Sequence, residues 1–505
     1  MLIRNHAGSA NPQTVDHAVE LNRRSLLTTL AIAASSACSG RSLLADTEND
    51  APAQRTTAGR NDRFTRVKSV VEIKGNIEIK IAKAAASTAS SQTPIESKTN
   101  LEFEEVIRTR KDSSDRFAVQ LYSQAECVND VQKYATTTKL RDECKTIVKL
   151  IDSQSRSIQC LDNPLTASER DLVQGPISTV FLDTLRPSSA IKLGDQWQVK
   201  GDALANLLNI EKVTTGELKV TLVDADSKIG QLEFSGDVDG EIHDVKTSIK
   251  IEGKARLDRT TGMISWVAVL LQEKRQVGES EPGFDITARV RILRESIDNL
   301  SQDIDLDSLQ KRAESDQSSD LTRVLSRLGA YQFVADRGWT LYSDSGVDAS
   351  LRWVQKNYTF AQCTITNLTD TKPGQQLSIA GYQSDIQKSM GKQLGQMLEA
   401  TEKVTATGLR MMRVVSIGTV NQVPMQWIHI LASNDAGRHL SLVFTMNAAS
   451  ADRFDSQDLQ IADSLEFTLR QLPTAPKEPS QKSEEKALEK PSETAVLKNP
   501  SSLLK

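Results

Sequence analysis

The stretch VKSVVEIKGNIEIKI, residues 67–81, decides how the first half of the chain folds. Val67, Val71, Ile73 and Ile77 alternate in it with lysine, glutamate and asparagine side chains. Successive side chains of a β-strand point to opposite faces of the sheet, so a period of two indicates a strand with one apolar and one wet face. The segment therefore predicts a long amphipathic strand.

The same alternation recurs further along the chain, at residues 101–107, 249–257, 264–270 and 284–292. Residues 258–262 (DRTTG) have the composition of a turn between two of these strands. Consecutive strands joined by short turns pair antiparallel. The sequence predicts an antiparallel sheet.

Two helices are predicted between the early and late strands. Thr166 followed by Glu169 has the spacing of a capping box and predicts a helix over 166–185, which Pro176 interrupts. Asp202 is the predicted cap of a short helix over 203–210. The predicted fold class is α+β, with a curved antiparallel β-sheet that carries helices on one face.

The chain has 505 residues, more than one hydrophobic core usually serves. The predicted divisions are a signal peptide (1–45), a linker (46–62), an antiparallel β-rich domain (63–296), a polar connector (297–327), a second domain (328–471) and a disordered tail (472–505). The tail is rich in Pro, Ser, Lys and Glu, so it offers little apolar surface to bury.

The leader carries an export signal. Arg23 and Arg24 precede the apolar run 26–34, and small residues follow, which is the composition of a signal peptide. The segment also resembles a twin-arginine signal. Asn22 stands where that signal has Ser or Thr, so export by the general route stays open.

Cys38 follows Ser35-Ser36-Ala37, which resembles the box of lipoproteins and makes Cys38 a candidate for lipidation. Cleavage after Ala37 or Ala45 is the alternative. The sequence predicts a protein of the periplasm or cell envelope that touches a membrane only through such a lipid anchor.

The second domain resembles the PsbP-like family. Tyr331 and Phe333 followed by Gly338-Trp339 are similar to the opening of such domains, although Arg337 stands where the family has Pro. The predicted parts follow the family order: a hairpin (351–368), a long helix (377–404), three strands and a closing helix. The resemblance implies a small α/β sandwich and a role as an assembly factor or binding module, and it carries over no functional residue.

The first domain resembles, at the level of fold, the curved sheets of bacterial lipoprotein carriers. The likeness rests on its alternating strands and on a G-x-x-W motif from Gly194 to Trp197.

Several chemistries lack their sequence signatures. The net charge of −4 and the 4% of aromatic residues disfavour a nucleic-acid partner. The sequence has no G-x-S-x-G, phosphate-loop, G-x-G-x-x-G or C-x-x-C motif. No catalytic, cofactor-binding or metal-ligating residue is therefore predicted.

His429 and His439 lie on the two strands of one predicted hairpin. If Asn434 opposes Gly437 in its turn, His439 opposes Ala432 and the two histidines point to opposite faces. On this register they share no metal site, and His429 is a core histidine.

Three cysteines fall in the first domain: Cys127, Cys144 and Cys160. An exported protein permits one disulfide among them, which leaves one thiol free. The sequence leaves the pairing open.

The predicted function is that of an exported, non-enzymatic cell-envelope protein that binds a partner protein or an apolar ligand. Two alternatives stay open: a hydrolase of envelope polymers that uses paired carboxylates, and a purely structural, tethered scaffold.

Overall fold

The computed structural model describes residues 61–469, apart from 81–89, 110–114, 133, 153–154, 162, 188–190, 243, 279–281, 317–319 and 356–357. The predicted signal peptide and tail, with Arg23, Arg24 and Cys38, lie outside the described residues, as does His243. Of the residues described, 59% are in strands and 17% are helical.

Thirteen strands form the first sheet. They are β1 (Asn61–Lys80), β2 (Ser90–Thr109), β3 (Arg116–Val131), β4 (Tyr134–Lys139), β5 (Thr146–Ile151), β6 (Arg156–Gln159), β7 (Gln196–Val199), β8 (Lys212–Gly216), β9 (Leu218–Ala225), β10 (Ile229–Ile242), β11 (Val245–Asp258), β12 (Met263–Arg275) and β13 (Gly283–Ser296). Their order is β6-β5-β3-β2-β1-β13-β12-β11-β10-β9-β7, with β4 beside β3 and β8 beside β10, and all pairs are antiparallel. The predicted amphipathic strands and their antiparallel pairing are confirmed.

The two faces of this sheet differ as the alternation predicts. The inner face carries Val67, Val71 and Ile73 of β1, all buried in the main core. The outer face of the same strand carries exposed ion pairs such as Lys68 with Glu102, at 3.1 Å. Exposed pairs of this kind add little stability, so the inner face supplies most of what holds the sheet.

Six helices and four 3-10 segments are described. They are α1 (Ala167–Gln174), α2 (Gly201–Leu207), α3 (Leu306–Ser315), α4 (Ile379–Met390), α5 (Ala451–Phe454) and α6 (Gln457–Asp463), with 3-10 segments at Asp142–Cys144, Thr179–Leu185, Gly391–Gln393 and Ala448–Ser450. None of the helices in the described part of the chain has the length and apolar character needed to cross a bilayer.

The capping box predicted for α1 is present. The Thr166 hydroxyl accepts a hydrogen bond from the Glu169 amide, and the Glu169 carboxylate accepts one from the Thr166 amide. The helix ends at Gln174 and a separate 3-10 segment begins at Thr179, so Pro176 does interrupt it. The predicted cap at Asp202 is wrong: α2 begins after Lys200 without a side-chain cap.

The predicted α+β class is wrong, because the described chain is mostly β with few, short helices. The largest error is the predicted helix 377–404, which is two elements. The helix α4 ends at Met390, where Gly391 takes a φ of +53° that a helix cannot continue. The residues beyond it form strand β19 (Leu394–Val404), which pairs with a neighbouring strand.

The second half of the chain has two further sheets. A three-stranded sheet runs β14 (Leu321–Ser326), β15 (Tyr331–Asp336), β23 (Glu466–Phe467). The seven-stranded sheet comprises β16 (Trp339–Asp344), β17 (Asp348–Gln355), β18 (Tyr358–Asn367), β19, β20 (Arg410–Val420), β21 (Val423–Ser433) and β22 (His439–Asn447), in the order β16-β17-β18-β22-β21-β20-β19. Trp339, Trp353, Phe444 and Phe454 form an aromatic cluster between the strands and α5.

Two described elements of the segment 297–327, which is predicted as a polar connector, pack against the two halves of the chain. Ala313 of α3 is buried beside Phe117 and Val148 on the outer face of the first sheet. Strand β14 pairs with β15 and places Val324 in a second hydrophobic core. This second core is formed by the three-stranded and seven-stranded sheets together with α5 and α6. The predicted boundary between residues 327 and 328 therefore lies between two paired strands of the three-stranded sheet, β14 and β15.

A fragment that starts at residue 320 should be more stable than one that starts at residue 328, because the shorter fragment lacks β14. Loss of the buried Val324 alone should cost roughly 1.5–3 kcal/mol, before the lost strand pairing is counted. Urea unfolding of fragments 320–469 and 328–469 measures the difference. Equal midpoints would mean that β14 contributes nothing to the second core.

Candidate functional site

A small cavity lies between the inner face of the first sheet and the segment that covers it, residues 166–185. We call this segment the roof. The cavity measures about 30 Å³, enough for one or two water molecules. Its floor is made by side chains of β1, β2, β3, β5 and β13, and its roof by residues 171–177 and Thr179.

The floor follows from the strand alternation. The register of β1 and β2 sets Ser69 opposite Leu101 and Val71 opposite Thr99, so these side chains share the inner face. Phe103 lies next along β2, with its ring 4.8 Å from that of Tyr122 on β3. The floor is thus an apolar surface with a few hydroxyl groups.

Glu105 is the centre of a buried polar cluster beside the cavity. The side-chain amide of Gln120 donates to Glu105 Oε1 at 2.6 Å, and the Thr179 hydroxyl donates to the same atom at 2.7 Å. The Tyr122 hydroxyl donates to Gln120 Oε1 at 2.9 Å. Burial raises the pKa of Tyr122, and the charge of Glu105 adds to the effect. Within the described residues, Glu105 Oε2 is buried without a hydrogen-bond partner.

Lys149 on β5 brings a buried amine to the same cavity. Its Nζ donates to the Val173 carbonyl of the roof at 2.9 Å, and the residue is 7% exposed. Burial lowers the pKa of Lys149 to about 8, while the charge of Glu105 opposes the shift. An amine with a pKa near neutrality in a cavity marks a candidate site.

The roof adds polar groups of its own. Asp171 and Gln174 line the cavity and are almost fully buried. Gln174 Oε1 has no hydrogen-bond partner among the residues described. The cavity therefore offers an amine donor beside buried acceptors, which suits water or a polar group that both donates and accepts.

Two arginines fix the roof in place. Arg141 donates through Nε to Glu169 of α1 at 2.7 Å and through Nη2 to the Pro164 carbonyl at 2.9 Å. Arg170, 6% exposed, donates to the Ile158 carbonyl at 3.1 Å and to the Leu321 carbonyl of β14 at 2.9 Å. The roof is thus bound to the first sheet and to the three-stranded sheet.

The predicted register of the two histidines is wrong. In the structure Ser433 opposes His439 and His429 opposes Val443, so both histidines lie on one face. The turn contains one more residue than predicted, because the Asn434 amide donates to the Arg438 carbonyl. Four residues of strand still separate them, about 14 Å. Leu440 and Phe444 lie on the other face of the sheet from the two histidines.

Each histidine has a local hydroxyl partner. His429 is buried, with Nε2 3.4 Å from Ser416 Oγ, and burial lowers its pKa to about 4. Nε2 of His439 lies 2.9 Å from Thr371 Oγ1. No group of three His, Cys, Asp or Glu suited to a metal ion occurs within the described ranges.

The described cysteines lie in three places. Cys127 Sγ lies 3.3 Å from Ser97 Oγ on the inner face. The thiols of Cys144 and Cys160 interact with each other, and this interaction raises the pKa of Cys144. Cys363 is buried in the second core.

Glu105 and Lys149 were not singled out from the sequence. The signal was available for Glu105, because it stands between Phe103 and Ile107 at an inward position of an alternating strand. A charge at such a position breaks the pattern, and breaks of this kind concentrate at functional sites.

No family model matches the chain, and no curated protein matches it. The solution structure of cyanobacterial PsbP (CyanoP) from Synechocystis sp. PCC 6803 is a neighbour with 15% identity, covering 29% of this chain and 92% of that one, at a TM-score of 0.25. OccAB4 from Acinetobacter baumannii (7% identity, 76% of this chain, 97% of that one) and the outer membrane protein OprD from Pseudomonas aeruginosa (9%, 76%, 92%) each have a TM-score of 0.10. These scores carry no argument about architecture or function. A PsbP neighbour is thus found for 29% of the chain, and the resemblance to lipoprotein carriers is not supported.

Lys149→Met should remove a pH dependence of stability. The pKa of Lys149 is about 8 in the folded chain, against an ordinary value of 10.5. At pH values between these two, Lys149 is protonated in the unfolded chain and neutral in the folded chain. Stability conferred by this residue therefore rises with pH in that window, by about 1.4 kcal/mol per pH unit. Urea unfolding at pH 8 and pH 10 measures the slope.

Lys98→Met is the matched control, because the Lys98 side chain is 59% exposed on the outer face. It should keep the slope of the parent protein. A Lys149→Met variant with the same slope as its parent would show that the amine is hydrated in the folded chain.

His429→Gln should flatten the loss of stability in acid. With a pKa of about 4 in the folded chain, His429 stays neutral between pH 6.5 and 4 while the unfolded chain takes up a proton. Stability conferred by His429 should fall by about 1.4 kcal/mol per pH unit as the pH drops through this window. Unfolding midpoints of parent and variant at pH 7 and pH 5 test this. If the midpoints of parent and variant differ by the same amount at pH 7 and at pH 5, the prediction is contradicted.

Proposed function

We propose that this chain is an exported, non-enzymatic cell-envelope protein that binds an amphipathic ligand between the roof and the inner face of the first sheet. The cavity beside Lys149 carries the proposal. Ligand sites are typically apolar pockets with a few convergent polar groups and a titratable residue of shifted pKa. Export rests on the leader with Arg23 and Arg24.

The chemistry of the lining indicates the class of ligand. The floor side chains Val71, Leu101 and Phe103 would contact an apolar chain. Lys149 would donate to a polar head group, and the buried acceptor Gln174 Oε1 would receive a hydrogen bond from it. A head group that accepts and donates, such as a hydroxylated one, meets both requirements.

The size of the cavity means that binding requires movement of the roof. A volume of about 30 Å³ is far below the roughly 300 Å³ of a small-molecule site. The roof has a break at which it can bend: α1 ends at Gln174, and it is followed by Gly175, with a φ of +61°, and by Pro176. The closed cavity is the expected ligand-free form.

Native mass spectrometry of the mature protein, purified from its own host, tests the proposal. The parent protein and Lys98→Met should carry an added small-molecule mass, and Lys149→Met should carry less than about a tenth of it, as expected for the loss of a charge-assisted hydrogen bond.

Three results would contradict the proposal. A parent protein that carries no small molecule would favour the structural scaffold. Retention of the same mass by Lys149→Met would place the ligand elsewhere. Co-purification of a protein chain in place of a small molecule would favour the partner-binding alternative.

A further inference from the structure

Cys144 and Cys160 meet at one end of strands β5 and β6. Cys144 closes the 3-10 segment before β5, and Cys160 follows the last residue of β6. The antiparallel register, with Val148 opposite Gln159, brings these two ends of the hairpin together. Both residues are buried, and the interaction of the Cys144 thiol with Cys160 raises the pKa of Cys144.

Each sulfur atom also contacts the backbone on the other side. Cys160 Sγ lies 3.4 Å from the carbonyl oxygen of Glu143, the neighbour of Cys144. Cys144 Sγ lies 3.7 Å from the carbonyl oxygen of Asn163. The Asn163 amide in turn donates to the Cys160 carbonyl at 3.3 Å, which holds that turn in shape. Each sulfur atom therefore contacts a carbonyl oxygen of the segment that carries the other cysteine, and these contacts hold the two cysteines close together.

The other two described cysteines lie elsewhere. Cys127 lies within β3 and contacts Ser97 and Asn129. Cys363 belongs to β18 and the second core. Neither can reach Cys144 or Cys160 without a rearrangement of strands, because bridged cysteines must lie within about 7 Å of each other at Cα.

We propose that Cys144 and Cys160 form a disulfide in the mature protein and that Cys127 remains a thiol. The oxidant is a small disulfide such as glutathione disulfide. One thiolate attacks it to give a mixed disulfide and one released thiol. The second cysteine thiolate then displaces the remaining thiol, so two cysteine thiols become one disulfide and the oxidant becomes two thiols.

Burial of the two thiols determines at which step of folding the disulfide forms. The hydrogen bond from Cys160, together with burial, raises the pKa of the Cys144 thiol, so in the folded chain it is a poor nucleophile. The exchange therefore takes place while the hairpin is still folding. Once formed, the buried bond is shielded from external thiols.

The position of the bond relates it to the roof. The bridge would join the turn that follows Arg141 to the segment that precedes Pro164, and Arg141 binds both Pro164 and Glu169 of α1. A covalent link here would hold the anchor of the roof to the first sheet. The inference concerns the bond itself and stands whether or not the cavity binds a ligand.

Tryptic peptide mapping identifies the bond directly. The purified full chain is unfolded with reductant and refolded in a mixture of reduced and oxidised glutathione. It is then unfolded, alkylated and digested without reductant. Peptide 142–145, with Cys144, should be recovered linked to peptide 157–170, with Cys160. Peptide 117–133, with Cys127, should be alkylated.

Variants separate this pairing from its alternatives. Cys127→Ser should keep the linked peptides, and Cys144→Ser should abolish the link and leave Cys160 alkylated. A link from peptide 117–133 to either partner would overturn the assignment. So would recovery of 142–145 and 157–170 in alkylated form from the refolded parent protein, a result that does not depend on how any variant folds.

Discussion

Most of the inward-facing residues of the longest strands are apolar, so the inner face of the thirteen-stranded sheet has to be removed from water. The described helices are few, and those that contribute buried residues to the core on that face are α1, α2 and the 3-10 segments Asp142–Cys144 and Thr179–Leu185. Burial of apolar surface stabilises the fold by roughly 25 cal/mol per Å². Displacement of the roof would therefore expose more than its own side chains, because it would also uncover the strands beneath.

The anchoring of the roof follows from this constraint. Glu169 both caps α1 and binds Arg141, so the start of the helix and its attachment to the sheet share one carboxylate. Burial acts to raise the pKa of Glu169, yet the hydrogen bonds from Arg141 and Thr166 hold it below its ordinary value. A charge buried with such partners is costly to separate from them. The beginning of the roof is therefore held more firmly than its break at Gly175.

The sequence predicts features that depend on neighbouring residues, but it does not predict those that depend on contacts between distant segments. The alternation around Val71 and the capping box at Thr166 involve neighbours in the chain, and both are confirmed. The apolar spacing beyond Gly391 fits a helix as well as a strand, and pairing with β20 decides for the strand. The register of β21 and β22 depends on one residue in the turn after Ser433, and a slip of one residue moves every side chain to the other face.

The candidate site shows the same limit. Alternation alone places Glu105 on the inner face, so its burial was available from the sequence. Its partners Gln120 and Thr179 lie 15 and 74 residues away, and their meeting depends on strand register and on the path of the roof. No spacing rule connects these residues. The burial of Ala313 depends on distant residues for a related reason: its matching surface, which includes Phe117 and Val148, exists only in the folded sheet.

The contacts of Arg170 connect the roof to the second half of the molecule. Its guanidinium donates to the carbonyl oxygens of Ile158 and Leu321, one in each half. Burial lowers the pKa of Arg170, and the charge of Arg337 in the second half lowers it further. If α1 moved away from the sheet, both carbonyl oxygens would lose their donor. If the cavity opens as proposed, its opening would therefore be coupled to the position of β14 through the buried guanidinium of Arg170.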